Sequence, residues 1–151
     1  MAFDVPYTVL APREENLRAE LLQAFTSVLD SGRYILGPEV AAFECEIAGY
    51  CNTKYSVGVS SGTDALHLTL SAFSLSEGDE VITAPNSYIA SASTIALAGA
   101  NPVFADVGED MNIDPDAIEA VITSRTRGII PVHLTGRPAR MNEIIDVAKR
   151  Y

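Results

Sequence analysis

Four short apolar runs, at 55–60, 80–84, 102–106 and 128–132, recur along the chain, and each is followed by a stretch with helical spacing. This alternation restricts the fold more than any other feature. A two-residue turn joins only antiparallel strands, so strands separated by a helix-length crossover pair in parallel. Parallel strands in turn need cover on both faces. The pattern predicts an α/β fold, a three-layer α/β/α arrangement around a mainly parallel sheet. The crossover helices are expected at 62–73, with Leu66, Leu70 and Phe73 facing inward, and at 88–98, 115–122 and 139–151. Two helices precede the alternation. One spans 14–30, with Leu17, Leu21, Leu22, Phe25, Val28 and Leu29 on one face, and is stopped by Ser31-Gly32-Arg33. The other is opened by Pro38 and runs to about Tyr50, with Val40, Phe43 and Ile47 as its stripe.

At 151 residues and 48% hydrophobic composition, the chain has enough apolar material for one domain's core. Its formal net charge of −10 opposes binding to nucleic acid or to an anionic membrane. Any phosphate is therefore expected to be held by local dipoles and a few donors. No basic stretch followed by an apolar run opens the sequence, so no secretory leader is expected, and no apolar run reaches membrane-spanning length. Cys45 and Cys51 are the only cysteines and lie near no histidine cluster, which fits reduced thiols in a cytoplasmic setting. No metal site is expected. Asp106, Asp110, Asn112 and Asp114 are spaced somewhat like a calcium loop, but Pro115 stands where such a loop needs glycine and no glutamate closes it. They read as turn and N-cap residues for the following helix.

In open parallel sheets ligands bind beyond the carboxyl ends of the strands. There the chain delivers Ser60, Ser61, Gly62 and Thr63, then Pro85, Asn86, Ser87 and Tyr88, then Asp106, and finally His133. The stretch VSSGTDALHL runs from an apolar segment through small residues directly into a helix. Small side chains admit a ligand to the backbone N–H groups, and a helix N-terminus favours an anion. Ser61 followed by Asp64 also fits a capping box, so a plain capped turn explains the same residues. Tyr88 reads either as a ligand-stacking ring or as a half-buried packing aromatic. His133 reads either as a ligand contact or as a histidine tying a loop to the backbone, and His67 reads as structural. No G-x-G-x-x-G and no P-loop lysine occurs.

Together, GRYILGPEVAAFE at 32–44, SSGTDALHL at 60–68, GDEVITAPNSYIASASTIALAGANPVFADV at 78–107 and IIPVHLTGRPARM at 129–141 resemble the DegT/DnrJ/EryC1/StrS family of sugar aminotransferases. The resemblance implies the N-terminal segment and first half of the large domain of a fold-type-I enzyme dependent on pyridoxal 5'-phosphate (PLP). It implies transfer of an amino group, usually from glutamate, to a keto-sugar attached to a nucleotide, in a cytoplasmic homodimer. By the same resemblance Ser61, Gly62, Thr63 and Asp64 hold the cofactor phosphate, Tyr88 stacks on the pyridine ring, and Tyr34, Asn86 and His133 are candidate substrate contacts. The resemblance places the catalytic lysine beyond position 151, and neither Lys54 nor Lys149 matches it. No catalytic residue is therefore expected in this chain, and the rest of the large domain and a C-terminal small domain are expected outside it. A dehydratase using pyridoxamine phosphate, and a non-catalytic binding or regulatory fragment, remain as alternatives. The resemblance also sets the strand at 55–60 apart from the other three, so that it does not pair with them.

Overall fold

The computed structural model describes residues 8–12 and 14–151. Residues 1–7, where no leader was expected, lie outside the described part. The chain divides into two compact units, Met1–Gly58 and Val59–Tyr151.

The first unit contributes two helices, α1 (Glu15–Ser31) and α2 (Pro38–Tyr50). α1 ends as its sequence demands: Gly32 takes the left-handed conformation at φ 62° and returns its N–H to the Leu29 carbonyl at 3.2 Å. α2 starts on Pro38, whose missing N–H costs nothing in a first turn. The apolar stripe of α1 is present but uncovered, since Leu21, Leu22, Phe25 and Leu29 are all exposed. Between the helices Gly37 is required by space, because a Cβ there would lie 2.8 Å from the Arg33 carbonyl oxygen.

The second unit begins with α3 (Gly62–Ala72) and continues β1 (Glu80–Thr83), α4 (Ala90–Leu97), β2 (Asn101–Phe104), α5 (Pro115–Val121), β3 (Thr126–Ile130) and α6 (Met141–Arg150). The strands form one parallel sheet in the order β2-β1-β3. β1 is buried at every position, and its side chains alternate between two cores. Val81 joins Leu70, Ile95 and Ala100 on the face carrying α3 and α4. Ile82 joins Ala105, Ile113, Ile118, Ile144 and Val147 on the face carrying α5 and α6. This is the expected three-layer arrangement. Full burial of Ile82, Ile95 and Ile118 stabilises it by about 1.5–3 kcal/mol per side chain.

Two expectations are corrected. Four strands were predicted and three form. Residues 55–60 form no strand and, as the resemblance implied, do not pair with the other three among the described residues. A strand is defined by its ladder, and here the Gly58 N–H donates instead to the Glu44 carboxylate at 2.7 Å, leaving Tyr55 and Val57 exposed. Phe73, expected to face inward, is 71% exposed because α3 ends at Ala72 and Phe73 is its C-cap. It edges a groove of about 510 Å³ between α3 and the sheet, lined also by Leu66, Leu70, Val81 and Ile130.

The amino ends of the strands are fastened by charge. Glu80 is buried and accepts the Thr123 hydroxyl together with Nε of Arg125 at 3.0 Å. These hydrogen bonds, the Thr123 hydroxyl first, hold its carboxyl below the usual glutamate range despite burial. Beside it the β1–β3 register shifts, Glu80 facing Thr126 and Val81 facing Gly128. Arg127, the residue skipped by that shift, pairs with Asp79 at 2.9 Å.

Candidate functional site

The carboxyl ends of β1, β2 and β3 open onto three loops, and two asparagine amides sew these loops together. Nδ2 of Asn86, in the turn after β1, donates to the Met111 carbonyl at 2.9 Å in the loop after β2. Asn112, 1% exposed, reaches the loop after β3. Its Oδ1 accepts the Leu134 N–H at 3.0 Å, and its Nδ2 donates to the Arg137 carbonyl at 3.3 Å and the Pro138 carbonyl at 3.5 Å. Asp114 caps α5 by accepting the Asp116 N–H at 3.1 Å and also holds Arg140 at 2.8 Å.

Ser61, Gly62, Thr63 and Asp64 form the first turn of α3, which packs beside α4. The Ser61 hydroxyl accepts the Asp64 N–H at 3.1 Å, so half of the expected capping box forms. The reciprocal half does not. The Asp64 carboxylate, one methylene shorter than the glutamate of a full box, accepts the Ser60 hydroxyl instead. The Ala65 N–H begins the helical ladder at the Ser61 carbonyl. This leaves the N–H groups of Gly62 and Thr63 without a hydrogen-bond partner among the described residues. Beyond its chain neighbours and the helix's own backbone, nothing lies within 4 Å of where a Gly62 Cβ would stand. Two free donors at the positive end of an eleven-residue helix suit a phosphate dianion. The Asp64 N–H, of the residues expected to hold the phosphate, is thus engaged by Ser61.

Tyr88 lies in the turn after β1, ahead of α4 rather than in its first turn, and is 76% exposed. His133 is exposed, and its Nδ1 accepts the Ala139 N–H at 3.0 Å. The loop-tying reading of this histidine is therefore realised, while Nε2 stays unengaged among the described residues. Asp106 is exposed and accepts the Val107 N–H at 2.8 Å. Tyr34 belongs to the other unit, where its hydroxyl donates to the Leu29 carbonyl at 3.2 Å. Lys149 lies in α6, and Lys54 sits in the first unit with Nζ 5.1 Å from the Tyr55 ring centroid.

Sequence reasoning missed Asn112, which it grouped with the turn and cap residues. The available signal was chemical: a lone amide among the carboxylates Asp106, Glu109, Asp110 and Asp114. No helix of the described residues is long and apolar enough to cross a membrane.

A three-layer unit around a parallel sheet in the order β2-β1-β3 defines part of a large-domain fold of the PLP-dependent transferases. The chain belongs to the DegT/DnrJ/EryC1/StrS aminotransferase family, whose pattern matches residues 15–151. It is 47% identical over 148 residues to the dTDP-3-amino-3,4,6-trideoxy-alpha-D-glucose transaminase of Streptomyces venezuelae, an overlap of 97% of this chain and 39% of that protein. It superposes on the structure of DesV from S. venezuelae in complex with a ketimine intermediate with a TM-score of 0.86 at 49% identity, covering 90% of this chain and 37% of that one. NtdA from Bacillus subtilis with bound PMP gives 0.87 at 37% identity, covering 91% and 32%. The chain spans about two fifths of the length of the curated relatives it matches.

Proposed function

We propose that this chain is the cofactor-anchoring N-terminal part of a PLP-dependent aminotransferase that delivers an amino group, with glutamate as donor, to a keto-sugar linked to a nucleotide. The observation that carries the reading is the pair of unpartnered N–H groups at Gly62 and Thr63, in a chain whose relatives include a dTDP-sugar transaminase. When bound, PLP supplies the electron sink for moving the amino group. The chain's own residues hold and orient it. Gly62 and Thr63 donate their N–H groups to the phosphate, with the Thr63 hydroxyl as a further donor. Ser61 and Asp64 shape the turn through the cap and the Ser60 hydrogen bond. Tyr88 offers its exposed ring face to the pyridine. Asn86 and His133 contact the sugar nucleotide. The parent enzyme works as a cytoplasmic homodimer, and its bond-forming lysine is supplied from outside these residues.

The test uses the protein at its native length, its mass measured first. Gly62→Pro removes one donor while leaving a residue well suited to a helix's first position, and the extended Ser61 at φ −163°, ψ 165° tolerates a following proline. Loss of a hydrogen bond to a charged group weakens PLP retention by about 1.5–3 kcal/mol. Unchanged retention, or a wild-type protein that transfers no amino group from glutamate to any nucleotide-linked keto-sugar, overturns the proposal.

A further inference from the structure

Asn112 spends every polar atom of its amide on one loop. With Oδ1 on the Leu134 N–H and Nδ2 on the Arg137 and Pro138 carbonyls, only one amide orientation satisfies all three partners. The inverted amide would set its oxygen against two carbonyls and its NH₂ against an N–H. The segment it grips bends sharply: Thr135 and Gly136 both take left-handed conformations, at φ 52° and φ 83°. The bend brings Ala139 back so that its N–H points at Nδ1 of His133, while the Gly136 N–H closes on the His133 carbonyl at 3.1 Å. A nitrogen that accepts an N–H carries no proton of its own. In its neutral form the His133 ring therefore bears its proton on Nε2, and the residue is exposed.

We propose that Asn112 is a positioning residue, which locks the 133–139 loop so that His133 presents Nε2–H as a fixed hydrogen-bond donor to an oxygen of the bound ligand. The identity of that ligand rests on the function proposed above; the lock itself does not. A ring fixed in this way accepts nothing through Nε2. It selects a carbonyl, hydroxyl or phosphoryl oxygen and discriminates against an ammonium group. The buried amide thereby converts a loop of small and turn-forming residues into a rigid donor platform. Asn86, tying the turn after β1 to Met111 next door, carries the same fixation one strand further.

The experiment observes the imidazole nitrogens of the ¹⁵N-labelled protein at native length, with His133→Gln assigning the signal. Wild type is expected to show a single tautomer protonated on Nε2. Asn112→Ala, still folded, is expected to show exchanging tautomers and fast solvent exchange at the Ala139 amide. The same variant is expected to raise KM for a nucleotide-linked keto-sugar roughly three- to tenfold, the range of one neutral hydrogen bond, while kcat holds within about twofold. Asn112→Asp retains the acceptor for Leu134 but loses both donations, and is expected to behave like Asn112→Ala. A wild-type ring protonated on Nδ1, or a single Nε2–H tautomer persisting in folded Asn112→Ala, overturns the lock. If neither variant folds, the wild-type tautomer and the protection of the Ala139 amide decide. A wild-type protein with the expected tautomer but no amino transfer upholds the lock and overturns the function.

Discussion

Nε of Arg125 donates to the Glu80 carboxylate at 3.0 Å, joining the residue that opens β1 to the one that precedes β3. The Thr123 hydroxyl first, and this contact after it, favour the ionised Glu80, so its folded-state pKa lies below its unfolded value. A depressed carboxyl contributes stability that is complete above the unfolded pKa and disappears as pH falls through the folded one. Acid titration followed by circular dichroism should therefore show stability declining from around pH 4.5 downward. In Glu80→Gln that part of the slope should be absent. An unchanged acid limb in Glu80→Gln would remove Glu80 as its source.

Ser61 is expected to act on the helix more than on the ligand, because its hydroxyl already accepts the Asp64 N–H. Ser61→Ala should cost about 1 kcal/mol in urea unfolding, the usual worth of an N-cap. PLP retention should fall less than in Gly62→Pro. The reverse ranking would mean that the hydroxyl, rather than the backbone, holds the phosphate.

Tyr88→Ala should weaken PLP retention by roughly 1–2 kcal/mol, in keeping with a lost aromatic contact. Tyr88→Phe should lose much less, since stacking uses the ring face. Equilibrium dialysis of both variants distinguishes the roles, and equal losses would indicate that the hydroxyl makes the contact.

Incubation with PLP followed by borohydride reduction should leave neither Lys54 nor Lys149 stoichiometrically labelled. Lys54 lies over the Tyr55 ring, and Lys149 lies in the last turn of α6. Peptide mass mapping reads the outcome. Full labelling of either lysine, accompanied by turnover, would overturn the assignment of the bond-forming lysine to sequence outside this chain.

The layered fold was legible because its causes are local. Alternating apolar runs, Gly32 and Pro38 as stop and start, and Asp114 before Pro115 as an N-cap all act within a few residues, and each forms as read. The first turn of α3 was legible for the same reason. The segment at 55–60 was legible in part: the family resemblance set it apart from the other three strands, as found, but its residue pattern read as a strand, because Val57 and Val59 have strand character in any context while a ladder needs a neighbour that pattern alone does not supply. Asn112 escaped for a related reason. Its partners Leu134, Arg137 and Pro138 lie 22 to 26 residues away, and only the folded chain shows that an amide between aspartates is buried.

The strand order β2-β1-β3 makes the first strand of this sheet also its middle one. During synthesis β1 therefore leaves the ribosome before either neighbour exists. The row of backbone groups facing β2 stays open until 101–104 emerges, and the row facing β3 for longer still; Thr83 and Ile130, joined by a side-chain hydrogen bond in the finished sheet, are 47 residues apart. At roughly 5–20 residues per second, that interval lasts about 2–10 seconds. For those seconds the nascent chain carries a strand with at least one edge unpaired, and any ribosome stall between residues 84 and 126 would prolong its exposure to chaperones and to other nascent chains.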